Sequence, residues 1–116
     1  MILLTGGAGF IGSCFLKKLN DEGIDNIIVA DHLGAGDKWK NLVGKRFWRF
    51  FHKNDLRQRI REDSLGDEIE TIFHLGACSV TTERDADYML DNNFAYSTEI
   101  AEYAEKNGIR FIYASS

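Results

Sequence analysis

Thr5-Gly6-Gly7-Ala8-Gly9-Phe10-Ile11-Gly12 sits between an apolar run, Ile2-Leu3-Leu4, and a stretch in which Phe10, Ile11, Cys14, Phe15 and Leu19 recur at helical spacing. Two glycine spacings overlap in it. Gly7, Gly9 and Gly12 form G-x-G-x-x-G, and Gly6, Gly9 and Gly12 form G-x-x-G-x-x-G. Either one provides a tight turn, a point where backbone can approach a pyrophosphate, and close packing of helix on strand. The N–H groups that open the helix have no partner within it and face outward toward an anion. A glycine pattern alone says little, but one that leaves a strand and opens a helix is in the context that gives it meaning.

Outward from this loop, apolar runs alternate with helical patterns. Ile27-Ile28-Val29-Ala30 reads as a second strand, ending in Asp31 and a loop with Gly34 and Gly36. Arg46 to Phe51 reads as a third strand, Leu56 to Glu62 as a short helix and Thr71 to Leu75 as a fourth strand closed by Gly76. Tyr88 to Lys106 reads as a long helix stopped by Gly108, and Arg110 to Ala114 as a fifth strand. Strands apolar on both faces, alternating with helices, predict an α/β fold: a parallel sheet with helices on both faces in the order 3-2-1-4-5. The fifth strand stands at an edge, so the sheet is expected to continue beyond residues 1–116.

The chain has 116 residues, 44% of them hydrophobic and 28% charged, with a net charge of −4. That length suits one domain with its own core. The acidic balance argues against a general nucleic-acid surface. No apolar run is long enough for a membrane span, and Met1 to Leu4 is too short for a signal peptide, so a cytoplasmic protein is expected. Cys14 and Cys78 lie in no metal-binding or redox spacing. The absence of proline has no evident physical reason.

Asp31 follows Gly12 at a distance where a strand-end carboxylate can accept both ribose hydroxyls of an adenosine, which favours NAD. Lys38 and Lys53 each follow a strand by a few residues, where an ammonium could meet a 2′-phosphate and favour NADP. These residues taken alone leave both cofactors open. His74, inside an apolar strand, reads as a hydrogen-bonded core histidine. Phe47, Trp48, Phe50 and Phe51 read as core and interface surface.

Thr5 to Gly12, together with Phe73-His74-Leu75-Gly76-Ala77 and Tyr113-Ala114-Ser115-Ser116, resembles the extended short-chain dehydrogenases that act on sugar nucleotides. A narrower match runs from His74 through Gly76-Ala77-Cys78-Ser79-Val80-Thr81-Thr82-Glu83 to Asp85, and again over Tyr88-Met89-Leu90-Asp91-Asn92-Asn93. There the chain looks like the ADP-glycero-manno-heptose 6-epimerases of lipopolysaccharide core synthesis. The resemblance implies NADP bound by positions matching Gly6, Gly9, Phe10, Ile11, Gly12, Asp31, His32, Lys38, Lys53, Leu75, Gly76, Ala77, Cys78, Ser79 and Asn92. Two positions depart from the family pattern: His32 replaces a usual asparagine, and Leu75 a common glutamate, where the backbone is expected to serve.

The resemblance further implies that Ser116 is a catalytic serine, or Ser115 if the register differs by one. A Tyr-x-x-x-Lys pair and a substrate domain are expected downstream, so residues 1–116 alone are expected to be inactive. Epimerisation at C6″ of ADP-heptose through a transient ketone is the implied reaction, in a homo-oligomer that binds neither nucleic acid nor membrane. Another sugar-nucleotide epimerase or dehydratase, or a non-catalytic dinucleotide-binding regulatory domain, are the alternatives.

Overall fold

The computed structural model describes residues 1–65, 68–76 and 91–113, apart from the side chains of Asn92 and Asn93. In chain order its elements are β1 (Ile2–Thr5), α1 (Phe10–Asp21), β2 (Ile27–Asp31), a 3-10 turn (Lys38–Leu42), β3 (Arg49–His52), α2 (Lys53–Arg61), β4 (Thr71–His74), a π-type turn (Asp91–Ala95), α3 (Tyr96–Asn107) and β5 (Arg110–Tyr113). The strands form one sheet in the order β3-β2-β1-β4-β5, and every pair is parallel. This is the predicted topology.

Successive strand side chains point to opposite faces, and both faces are apolar. Leu4, Ile27 and Val29 pack with Leu16 and Leu19 of α1. Leu3, Ile28, Ala30 and Ile72 point the other way, into a core with Leu56 and Ile60 of α2 and Tyr96, Ile100 and Tyr103 of α3. Each fully buried leucine or isoleucine contributes about 2 kcal/mol relative to exposure.

Three boundaries differ from the predicted ones by more than one residue. Residues 46–48 do not join β3, because Arg46 spends its backbone on Asn20: the Asn20 amide donates to Arg46 O at 2.8 Å, and Arg46 N donates to Asn20 Oδ1 at 2.7 Å. The strand starts at Arg49 and runs through His52, which caps α2 by accepting a hydrogen bond from Asn54 N at 3.1 Å. That cap starts α2 at Lys53, three residues before Leu56. Within the described part of the predicted long helix, residues 91–95 form the wider turn and only Tyr96 onward is α-helical.

The strand register brings the carboxyl ends together. Thr5 lies opposite Ala30 and His74, Asp31 opposite His52, and His74 opposite Tyr113. Ligands of open parallel sheets bind at this edge.

Candidate dinucleotide-binding site

The glycine loop crosses the carboxyl end of β1. Gly6 has φ +73°, and a Cβ there would lie 2.5 Å from Leu75 O. Its N–H donates to Ala30 O at 2.7 Å, which turns the chain over β2. A Cβ on Gly12 would lie 1.9 Å from Gly6 O, so only glycine lets α1 come this close to the turn. Gly9 is different. A Cβ there would approach only Gly6 O, at 3.4 Å, so no other part of the described chain comes within contact range of that side of the loop.

Gly9 is also the N-cap of α1. Among the described residues no side chain caps this end of the helix, and its first turn holds no acidic residue. The helix start therefore keeps its donors and its positive dipole end for an anion. Phe10 and Ile11, in the same turn, are 81% and 71% exposed. A shaped loop, an open face at Gly9 and an uncapped helix fit the pyrophosphate of a dinucleotide.

Asp31 organises the neighbouring region. Its carboxylate is buried and accepts Ala8 N at 2.9 Å on Oδ2, and His32 N and Lys38 Nζ, both at 2.7 Å, on Oδ1. Lys38 also donates to His32 O at 3.1 Å. Asn41, in the 3-10 turn, donates to Ala8 O at 2.8 Å and fastens the glycine loop from the other side. Lys53 is buried beneath this region, its ammonium 5.7 Å from the Tyr96 ring centroid. Burial pushes the Lys53 ammonium below the usual lysine range, partly opposed by the charges of Asp91 and Asp31.

Tyr96 is 1% exposed. Its hydroxyl lies toward Thr5 but has no partner at hydrogen-bond geometry among the described residues. Thr5 is occupied: its hydroxyl accepts Gly76 N at 3.1 Å and is 2.6 Å from His74 Nδ1. His74 is fully buried, with Nε2 2.7 Å from Ser97 Oγ. Desolvation lowers its pKa to about 4, so the ring is neutral at pH 7. This is the expected core histidine, and it ties the end of β4 to β1 and α3.

The structure thus gathers Gly6, Gly9, Phe10, Ile11, Gly12, Asp31, His32, Lys38, Lys53, Leu75 and Gly76 around the carboxyl end of the sheet. Leu75 N donates to Thr5 O at 3.1 Å, and its side chain packs with the α1-side core. Ala77, Cys78, Ser79 and Ser116 lie outside the described residues, as does the Asn92 side chain; Asn92 itself belongs to the π-type turn. Sequence reading passed over Thr5, Ala8, Asn41, His52 and Tyr96. Thr5 and Ala8 stood inside the glycine motif without a role of their own, and Asn41 carried a signal as a polar side chain in the loop after Asp31.

This architecture is that of a nucleotide-binding α/β domain, and comparison with known proteins narrows it. Residues 2–116 match the model of the NAD dependent epimerase/dehydratase family, and the chain belongs to that family. It is 45% identical over its whole length to the ADP-L-glycero-D-manno-heptose-6-epimerase of Nitratidesulfovibrio vulgaris strain DP4, covering 36% of that protein. The solved ADP-L-glycero-D-manno-heptose-6-epimerase of Helicobacter pylori superposes with a TM-score of 0.79 at 28% identity, over 99% of this chain and 38% of that one. MoeE5, solved in complex with UDP-glucuronic acid and NAD, superposes with a TM-score of 0.74 at 28% identity, over 99% and 36%. The chain spans about a third of the length of the relatives it matches.

Proposed function

We propose that the protein to which this chain belongs converts ADP-D-glycero-D-manno-heptose to its L-glycero epimer at C6″, with NADP as cofactor, in the cytoplasmic steps of lipopolysaccharide core synthesis. The whole-length similarity to a heptose epimerase supports the reaction. The observation that carries the cofactor is the ion pair of Asp31 with Lys38 at 2.7 Å. A bare strand-end carboxylate repels a 2′-phosphate. Here its charge is offset on the spot, and Lys53 adds a second cation nearby.

In this reading Gly9 and the first turn of α1 hold the pyrophosphate, while Phe10 and Ile11 flank it. Asp31, His32, Lys38 and Lys53 hold the adenosine ribose and its phosphate. Gly76 to Ser79 and Asn92 border the nicotinamide end, and Ser116 orients the reacting sugar oxygen. The bound nicotinamide supplies the chemistry of oxidising a carbinol and returning the hydride to the opposite face. Residues 1–116 form the dinucleotide-binding unit, and we expect the whole protein to be a homo-oligomer.

Calorimetric titration of the full-length protein with NADP and NAD tests the cofactor, and product analysis with ADP-heptose tests the reaction. NADP should bind more tightly. Lys53→Glu should weaken NADP by about tenfold or more, since a charge-assisted contact contributes about 1.5–3 kcal/mol, and leave NAD nearly unchanged. Equal or tighter NAD binding by the wild type refutes the cofactor assignment. Turnover of a UDP-hexose in place of ADP-heptose refutes the substrate assignment.

A further inference from the structure

Where β2 and β3 end side by side, His32 and His52 form a hydrogen-bonded pair. His32 Nδ1 and His52 Nε2 are 2.9 Å apart, with ring centroids 5.1 Å apart and planes at 84°. His52 is also the N-cap of α2, its Nδ1 accepting from Asn54 N at 3.1 Å.

These contacts leave one arrangement of protons for two neutral rings. Nδ1 of His52 accepts, so it carries no hydrogen. The proton of His52 is therefore on Nε2, which donates to Nδ1 of His32. With its Nδ1 lone pair engaged, His32 carries its own proton on Nε2. That nitrogen would be 3.8 Å from a Cβ on Gly34, and the His32 ring is exposed. His32 directly follows Asp31, and its carbonyl accepts Lys38 Nζ, so the residue that carries this exposed Nε2–H is anchored to the cluster that the proposed function gives to the adenosine ribose.

We infer that His52 is a positioning residue for cofactor choice: it fixes the His32 ring as an Nε2–H donor toward a phosphate on the ribose 2′ position. The backbone N–H of Asn54 sets His52, and His52 sets His32. The start of α2 thereby reaches a ligand group that it does not touch. This inference rests on the NADP reading above.

Two measurements on the full-length protein test it. Long-range ¹⁵N–¹H correlation spectra should show His32 protonated at Nε2 and bare at Nδ1. Titration with NADP and NAD should show His52→Asn weakening NADP by about fivefold with NAD unchanged. Asparagine still caps a helix well but is too short to reach His32, so this variant keeps α2 and removes only the relay. His52→Phe, which loses both functions, should shift NADP at least as far and should lower the thermal midpoint as well. A wild type that prefers NADP, with a His52→Asn variant that binds both dinucleotides as the wild type does, overturns this inference alone. So does a His32 ring protonated at Nδ1. A wild type without NADP preference overturns the cofactor reading and this inference together.

Discussion

Gly9 and Gly12 are three residues apart and answer to different demands. At Gly12 a methyl group would meet the Gly6 carbonyl oxygen at 1.9 Å, backbone that cannot step aside without undoing the turn. At Gly9 it would meet one atom, at ordinary contact distance. Gly12→Ala should therefore destabilise the protein by about 3 kcal/mol, the upper part of the range for overpacking. Gly9→Val should fold with a near-native thermal midpoint and bind no dinucleotide, because its side chain would fill the space that the proposed function gives to the pyrophosphate. Denaturation and titration on both variants check this. Normal NADP binding by Gly9→Val would mean that the loop is not the phosphate site.

At the level of elements, the seam between α2 and α3 depends on one buried cation. Arg57 donates to both carboxylate oxygens of Asp91 and both of Glu99, at 2.8–3.1 Å, and Arg61 adds a bond to Glu99 at 2.9 Å. Hydrogen bonds donated to Glu99 and Asp91 hold the Arg57 guanidinium above its usual range. The same Arg57 bonds hold Asp91 below the ordinary carboxylate range. Burial alone would raise Glu99, but the bonds from Arg57 and Arg61 outweigh it and hold that carboxyl low. Arg57→Met keeps an unbranched apolar stem and removes the guanidinium, which lies 5.6 Å from the Tyr96 ring centroid. It should cost about 2 kcal/mol, between the values for exposed and buried pairs, measured as a fall in urea midpoint. Because Asp91 adjoins Asn92, the variant should also weaken dinucleotide binding. Unchanged stability would show that solvent already carries these charges. Elements of this kind were legible unevenly. Ile27 to Ala30 announced β2 through an unbroken apolar run. The 3-10 turn at Lys38–Leu42 had no periodicity to show, since the side-chain bonds that hold it go outside the turn, from Lys38 to Asp31 and from Asn41 to Ala8.

Across the whole molecule, acid should loosen the fold before the carboxylates titrate. An exposed histidine in the unfolded chain takes up its proton near pH 6.5. His74 in the fold resists protonation down to about 4. Between these values the unfolded chain binds more protons, so stability falls as pH falls through that window and is full above it. The loss should be about 2 kcal/mol between pH 7 and pH 5, read as a drop in urea midpoint, and His74→Asn should flatten that slope. Asp91 and Glu99, both held low, extend the loss at still lower pH. An unchanged slope in His74→Asn would assign the acid sensitivity to other groups. The global topology and the glycine loop at the carboxyl end of β1 could be read in advance, because hydrophobic alternation and the glycine spacing are properties of the chain itself. His52, Tyr96 and the Ala8–Asp31 bond could not. They depend on which strand ends lie side by side, and residue 52 meets residue 31 only once the sheet is in register.

Both backbone polar groups of Ala8 are fastened, its N–H by Asp31 and its C=O by Asn41, so the peptide units on either side of this residue are held. The loop is therefore already in its working shape before any ligand arrives, and little conformational entropy is left to lose on binding. Capture should then proceed at the pace of diffusional encounter, with a single kinetic phase and no slow rearrangement, and the Ala8 amide should exchange with solvent deuterium far more slowly than a surface loop ordinarily does.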